Sequence, residues 1–203
     1  MKLLYSLTSP YARKIRIVAA EKRIEMEMEQ VVLSAPNCPV PQHNPLGKIP
    51  VLVLDDGSSL FDSRVIAEFL DHRNPLAHLI PLDPTQKIWV KRWEALADGA
   101  TDAAVAALME SRRPENLQDA AWIAKQRGKV EHSLKALSDD LGKGKWCVND
   151  TFSLADIALG CLLGYLDLRF ADINWQHQYP NLARHYAKLM KRPSFRDTVP
   201  VSS

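Results

Sequence analysis

The chain has 203 residues, enough for one large or two small domains, and its 46% hydrophobic and 25% charged content is that of a globular protein with a sizeable core. Its 26 basic and 24 acidic residues leave a formal charge of +2, with no Lys/Arg cluster interleaved with aromatics, so neither a nucleic-acid surface nor an anionic membrane is an expected partner. Cys38, Cys147 and Cys161 stand far apart with no Cys-x-x-Cys and no histidines at ligand spacing, so neither a disulfide framework nor a metal site is expected.

Lys2–Tyr5 is short and apolar and reads as a buried strand. Ser9-Pro10 then opens a helix, because Ser9 can accept a backbone N–H as N-cap and Pro10 at the first helical position wastes no donor. Tyr11, Ile15, Val18 and Ala19 follow at helical spacing. Such a helix start sets polarised N–H groups beside a hydroxyl, which suits an anion such as a thiolate; it suits an ordinary cap equally well. Glu27–Leu33 begins as an alternating strand at a crossover length that fits a parallel βαβ unit. Ser34–Lys48 carries Pro36, Pro39, Pro41 and Pro45 and reads as a loop with one short helical turn. Loops of that length inside a compact domain tend to be functional.

Val51–Leu54, Asp55-Asp56-Gly57 and Ser59–Phe61 form a predicted hairpin, since Asp-Gly supplies the positive φ of a tight turn. Asp62 or Ser63 then caps a helix whose Val65, Ile66, Phe69 and Leu70 are expected on the sheet. The order βαβ-ββα is that of a thioredoxin-like domain, placed at residues 1–76. Pro75, Pro81 and Pro84 mark a linker, placed at 77–86, and 87–203 reads as an all-helical domain. Its stripes are Ile88, Trp89, Trp93, Leu96 and Ala97; Val130, Leu134, Leu137 and Leu141; and Leu182, Tyr186 and Leu189. Ser153-x-x-Asp156 is a capping box, with Asp where Glu is usual. The helix after it is apolar nearly all round, which predicts a central position, and Ile157–Leu168 is too short and too Gly-interrupted to span a bilayer. Met1–Tyr5 has neither the basic region nor the apolar run of a secretory signal, and a cytoplasmic location is expected.

Three motifs, in order and at domain-sized separations, carry a family resemblance: Thr8-Ser9-Pro10-Tyr11-Ala12-Arg13-Lys14, then Asn44-Pro45-Leu46-Gly47-Lys48-Ile49-Pro50-Val51-Leu52 running on to Asp62-Ser63, then Ser153-x-x-Asp156. Together they resemble a cytosolic glutathione S-transferase over nearly the whole chain, of the bacterial serine-type, theta- or omega-like kind. The resemblance implies glutathione as co-substrate with no separate cofactor, a hydrophobic electrophile as second substrate, a detoxifying conjugation and a homodimer. It implies that Pro50 is cis and that the backbone of Ile49 pairs with the cysteinyl unit of glutathione. It gives Asp62 and Ser63 the γ-glutamyl carboxylate and ammonium, and Lys48, with His43 as a weaker second candidate, the glycyl carboxylate. Ser9 is the expected thiolate partner and Thr8 the fallback; Tyr5 lies too early for the tyrosine-type classes. No cysteine occupies the turn, which argues against mixed-disulfide chemistry. Two alternatives stay open: a binding module of the same fold without turnover, and a glutathione-dependent isomerase, whose richer Ser-Ser-Cys turn is missing here.

Overall fold

The structure, a computed structural model, describes residues 1–74 and 78–201. The chain divides into two compact units, Met1–Ile80 together with Arg192–Ser203, and Pro81–Lys191. The first is a thioredoxin-like unit built from β1 (Lys2–Tyr5), α1 (Pro10–Glu21), β2 (Glu27–Gln30), α2 (Val40–His43), β3 (Val51–Val53), β4 (Ser59–Leu60) and α3 (Ser63–Arg73). Its mixed sheet runs β2-β1-β3-β4. Strand β1 pairs parallel with β2, Lys2 opposite Glu27 through Tyr5 opposite Gln30, and antiparallel with β3, Leu4 opposite Val51. Strand β4 returns antiparallel along β3, with Leu60 opposite Leu52 and Ser59 opposite Val53. Gly57, at φ +85°, makes the tight turn between them, as the Asp-Gly step predicts.

Strand β2 is shorter than the expected Glu27–Leu33. The Val31 N–H still reaches the Tyr5 carbonyl at 2.8 Å, but β1 ends there, and Val32 and Leu33 emerge exposed. Val40 then sinks into a small core with Leu4, Val31 and Val51, against which Cys38 and Ile49 pack, so α2 anchors the proline-rich loop to the sheet. On α3 the expected stripe splits: Ile66, Ala67 and Leu70 are buried, whereas Val65 is about half exposed and, with Leu60 and Phe69, lines an open concavity of about 550 Å³. The real face is set one position over, because Ala67 is small enough to lie flush against its neighbours.

A partly buried ion pair and a buried arginine tie the end of the first unit to α1. Arg192 donates twice to Glu21, at 2.8 and 2.6 Å, and the Ser194 hydroxyl donates to the same carboxylate. Arg13 reaches the Phe195 carbonyl at 3.3 Å and lies 5.8 Å from the Phe195 ring centroid, on the short helix α9 (Pro193–Arg196). Residues from Arg192 onward therefore group with the sheet, although the sequence pattern runs the helical domain to 203. Next to Glu21, at the C-terminal end of α1, Lys22 and Asp71 form a fully buried pair at 3.0 Å, and the Asp71 carboxylate also accepts the N–H groups of Leu79 and Ile80. Residues 75–77, which include the expected boundary between domain and linker, lie outside the described residues.

The second unit contains α4 (Pro84–Ser111), α5 (Ala120–Leu141), α6 (Leu154–Arg169), α7 (Trp175–Gln178) and α8 (Pro180–Leu189). Helix α4 starts at Pro84, inside the expected 77–86 linker, because Asp83 caps it through the Gln86 N–H at 2.8 Å and Pro84 takes the first position. Its buried face is Val90, Trp93, Ala97 and the small residues that follow, not the expected Ile88 and Trp89, which are 67% and 52% exposed. The α5 stripe Val130, Leu134, Leu137, Leu141 is buried as predicted, while on α8 Leu182 and Leu189 are buried with His185 rather than Tyr186. Helix α6 is buried from Leu154 to Leu166 and packs on α4 and α8. Among the described residues no helix is long and apolar enough to cross a membrane.

Asp156 anchors α6. Its carboxylate accepts the Ser153 N–H at 2.9 Å, the Ser153 hydroxyl at 3.2 Å and the Cys147 N–H at 2.9 Å, and it lies 3.0 Å from His185 Nε2. Asp156→Ala strands three buried donors and the imidazole at once, and is expected to lower the unfolding free energy by about 3–5 kcal/mol in a urea titration. A second expectation concerns Glu21. Burial alone would raise its carboxyl, but the hydrogen bonds from Arg192 and Ser194 outweigh burial and hold it below the usual range. A depressed carboxyl contributes stability above the unfolded value of 4.5, which fades as pH falls through the folded one. The stability gap between the wild type and Arg192→Gln is therefore expected to be wide near neutrality and to narrow as pH falls through the carboxylate range below about 4.5, as read by denaturant melts at stepped pH.

Candidate functional site

Strand polarity brings three distant segments of the first unit to one end of its sheet. The chain leaves β1 at Tyr5 and enters the turn Ser6–Ser9; β3 runs the opposite way, so its first residue Val51 lies beside the end of β1; β4 reverses again, so Leu60 leaves toward that same end. The Ser9 turn, the Ile49–Pro50 step into β3 and the Asp62–Ser63 start of α3 thus meet at one sheet edge.

Ser9 caps α1. Its backbone is extended (φ −75°, ψ 119°), and its Oγ accepts the Ala12 N–H at 3.2 Å. Accepting uses a lone pair and leaves the hydroxyl hydrogen available to donate. Thr8, also half-buried, has its hydroxyl 3.5 Å from that of Ser6, so the turn holds three hydroxyls rather than two. The two candidates therefore differ in setting: Ser9 is fixed on the helix axis, where the α1 amides converge, and Thr8 faces back toward Ser6.

The Ile49–Pro50 bond is cis, and so is Phe61–Asp62. The loop ahead of Pro50 is organised by Asn44, a buried residue of the Asn44–Leu52 motif. Asn44 Oδ1 accepts the Leu46 N–H at 3.0 Å, its Nδ2 donates to the Lys48 carbonyl at 2.8 Å, and its own carbonyl accepts the Gly47 N–H at 2.9 Å. Gly47 turns there at φ +62°, a conformation that favours glycine. The Asn-Pro-x-Gly pattern was the signal for this role, since Asn closes such turns through its side chain. Lys48 is exposed, and its ammonium has no partner among the described residues. The backbone of Ile49 makes no hydrogen bond among the described residues, while its side chain packs on the Leu4–Val51 core. His43, the weaker candidate for a carboxylate, has Nδ1 3.0 Å from the Ser59 hydroxyl.

At α3 the choice between Asp62 and Ser63 as cap is decided: Asp62 Oδ1 accepts the Arg64 N–H at 2.9 Å, and Ser63 is the first helical residue, 3% exposed. Asp62 itself is exposed. The site edge therefore offers two helix N-termini, the hydroxyls of Ser6, Thr8, Ser9 and Ser63, a free backbone segment, a carboxylate and an ammonium. That inventory complements a small zwitterionic peptide bearing a thiol.

Residues 8–73 match the model of the glutathione S-transferase N-terminal domain, and residues 120–188 that of its C-terminal domain. The chain belongs to the glutathione S-transferase family. It is 39% identical over 201 residues to the uncharacterized GST-like protein YibF of Escherichia coli K12, covering 98% of each chain. A glutathione S-transferase from Methylobacillus flagellatus KT, crystallised with GSH bound, is 69% identical, with a TM-score of 0.97 over 98% of this chain and 99% of that one. Another, from Methylobacterium radiotolerans JCM 2831 in complex with glutathione sulfonate, is 42% identical, with a TM-score of 0.96 over 100% of this chain and 95% of that one.

One further cluster in this family member has the donor set of a metal site. Cys147 Sγ lies 3.9 Å from His185 Nε2, which lies 3.0 Å from Asp156 Oδ1. The same imidazole nitrogen faces both sulfur and carboxylate, so the group is not a nucleophile–base–orienter relay, which needs both ring nitrogens. Burial, with Asp156 beside it, pushes the Cys147 thiol well up, which keeps it protonated and inert. The cluster serves the fold through the Asp156 anchor. For the sheet-edge site, Asn44→Ala removes both side-chain contacts of the Lys48 loop; a stability loss of about 1–3 kcal/mol is expected by chemical denaturation.

Proposed function

We propose that this protein activates the thiol of glutathione as a thiolate and adds it to hydrophobic electrophiles, with Ser9 as the hydroxyl that stabilises the sulfur anion. The observation that carries the reading is the convergence, at one end of the sheet, of the α1 cap, the free Ile49 backbone and the α3 cap. Glutathione or a derivative in the solved relatives from Methylobacillus and Methylobacterium supports it.

Each part of glutathione has a counterpart. The α3 N-terminus and the Ser63 hydroxyl suit the γ-glutamyl carboxylate, and Asp62 suits its ammonium. The Ile49 N–H and C=O suit the amides of the cysteinyl unit, paired as an added strand would be, ahead of β3 and Pro50. Lys48 suits the glycyl carboxylate. Binding of both ends fixes the sulfur near α1, where the Ser9 O–H donates to it.

A free thiol has a pKa of about 8.5, so little of it is ionised at neutral pH. Lowering that by about two units takes about 2.7 kcal/mol of preferential stabilisation of the anion, within reach of one charge-assisted hydrogen bond and a helix N-terminus. The thiolate then forms the carbon–sulfur bond as the electrophile's leaving group departs or its double bond takes up a proton, and the thiol proton passes to solvent. The assembly proposed for this activity is a homodimer in the cytoplasm, for which light scattering at micromolar concentration gives the mass.

The decisive experiment is conjugation of a chlorinated nitroaromatic to glutathione, with glutathione-agarose retention measured in parallel. Ser9→Ala is expected to keep retention and lose about 100-fold in kcat/KM, with the thiol pKa in the binary complex moving up, while Thr8→Ala stays near wild type. Loss in Thr8→Ala with Ser9→Ala unaffected would transfer the role to Thr8. Retention without turnover on a broad panel of electrophiles would sink the transferase reading in favour of a binding module.

A further inference from the structure

A concavity of about 180 Å³ opens at the end of α5, lined in part by Lys143, Lys145, Asn181, Arg184, His185 and Lys188. Four of these carry a fixed positive charge, and no acidic side chain lines the concavity. In a chain whose formal charge is only +2, that concentration has to come from the fold.

The fold brings it about through glycine and one asparagine. After α5 the chain reverses through Gly142-Lys143-Gly144-Lys145, with Gly142 at φ +49°. A Cβ on Gly144 would stand 2.9 Å from the Leu141 carbonyl oxygen and 3.1 Å from that of Trp146, so the reversal is this tight only with glycine there. Opposite, Asn181, Arg184, His185 and Lys188 recur at i, i+3, i+4 and i+7 on α8 and share one face. Asn181 clamps the two together: its Nδ2 donates to the Ser138 carbonyl at 2.8 Å and the Gly142 carbonyl at 3.3 Å, and its Oδ1 accepts the Ser138 hydroxyl at 2.8 Å.

Basic residues near a helix C-terminus are often there for its carbonyls. Here the carbonyls of Ser138, Leu141 and Gly142 are already served, Ser138 O by Gly142 N–H and Asn181, Leu141 O by Gly144 N–H and Gly142 O by Asn181, and among the described residues none of Lys143, Lys145 and Arg184 donates to the others of that turn. The nearby acids are engaged elsewhere, Asp139 with Lys135 and Asp140 with Arg92. The side chains of Lys143, Lys145 and Arg184 have no partner among the described residues. Lys188 is held in place, its ammonium 3.5 Å from the centroid of the Trp146 ring and donating to the Lys145 carbonyl. Burial lowers the Lys188 pKa; Asp156 and Cys147 oppose the shift, and the like charge of Lys145 adds to it. Four cations facing one small space repel one another, and a multiply charged anion relieves that repulsion better than a carboxylate does.

We infer that this concavity is a binding site for the phosphoryl group of a small molecule, gripped by Lys145, Arg184 and Lys188 with Lys143 at the rim. Its volume of about 180 Å³ admits a phosphate with a few attached atoms. Guanidinium and ammonium donors together are the usual grip on such a dianion.

The test is calorimetry of the full-length chain at about 0.15 M ionic strength, so that weak surface pairing is screened, with inorganic phosphate, glucose 6-phosphate and glucose as titrants. Saturable binding of the two phosphate probes, none of glucose, and at least about tenfold weaker binding to Arg184→Gln and to Lys145→Gln are expected. Both substituted side chains are exposed, so thermal midpoints are expected to stay at the wild-type value. Tighter binding of glucose 6-phosphate than of phosphate identifies an ester as the ligand class, and the reverse identifies free phosphate; either order upholds the site. Absence of saturable binding, or binding unchanged in the Lys145→Gln/Arg184→Gln double variant, overturns it.

Discussion

The antiparallel pairing of β1 with β3 is the constraint on which the sheet-edge site rests. Leu3 opposite Leu52 and Leu4 opposite Val51 set the register, and all four side chains are buried, on both faces of the sheet. Once that register holds, the end of β1 and the start of β3 must be neighbours, and the short hairpin to β4 carries the start of α3 to the same edge. Residues 9, 49 and 63 then share one location, although about forty and about fifty residues of chain separate the first from the others.

Buried polar groups do the corresponding work elsewhere in each unit. In the first, Asp71 closes on Lys22 and two backbone amides, and Glu21 draws in Arg192 and Ser194. In the second, Asp156 collects three donors and His185 around the start of the most buried helix. These carboxylates are hydrogen-bonded with little to spare, as buried charge has to be. The contrast with Lys143, Lys145 and Arg184, which serve no internal acceptor, is what makes the basic concavity stand out from ordinary surface lysines.

Element types were legible wherever a cap and a period agreed. Ser9-Pro10, Asp-Gly before Ser58, and Ser153-x-x-Asp156 each commit the backbone locally, and each stands where expected. The misread faces were those in which composition outweighed geometry. Ile88 and Trp89 looked like core, yet the close contacts of α4 go to its alanines, because small side chains let α4, α5 and α6 approach closely. Val65 and Phe69 gave way to Ala67 for a similar reason, while Ile66 and Leu70 are buried as expected. The length of β2 could not be read from its own residues, since a strand ends where its neighbour does.

By itself the sequence determined the order of elements, the caps that start the functional helices, and the motif residues that mark the family, because these depend on side chains acting within a few residues of themselves. Tertiary structure alone decided which face of α4 is buried, that the last ten or so residues belong with the sheet, and that four cations from two segments share one concavity. Those outcomes depend on which distant groups compete for the same donors and the same space, and that competition exists only once the strands have paired and the helices have packed.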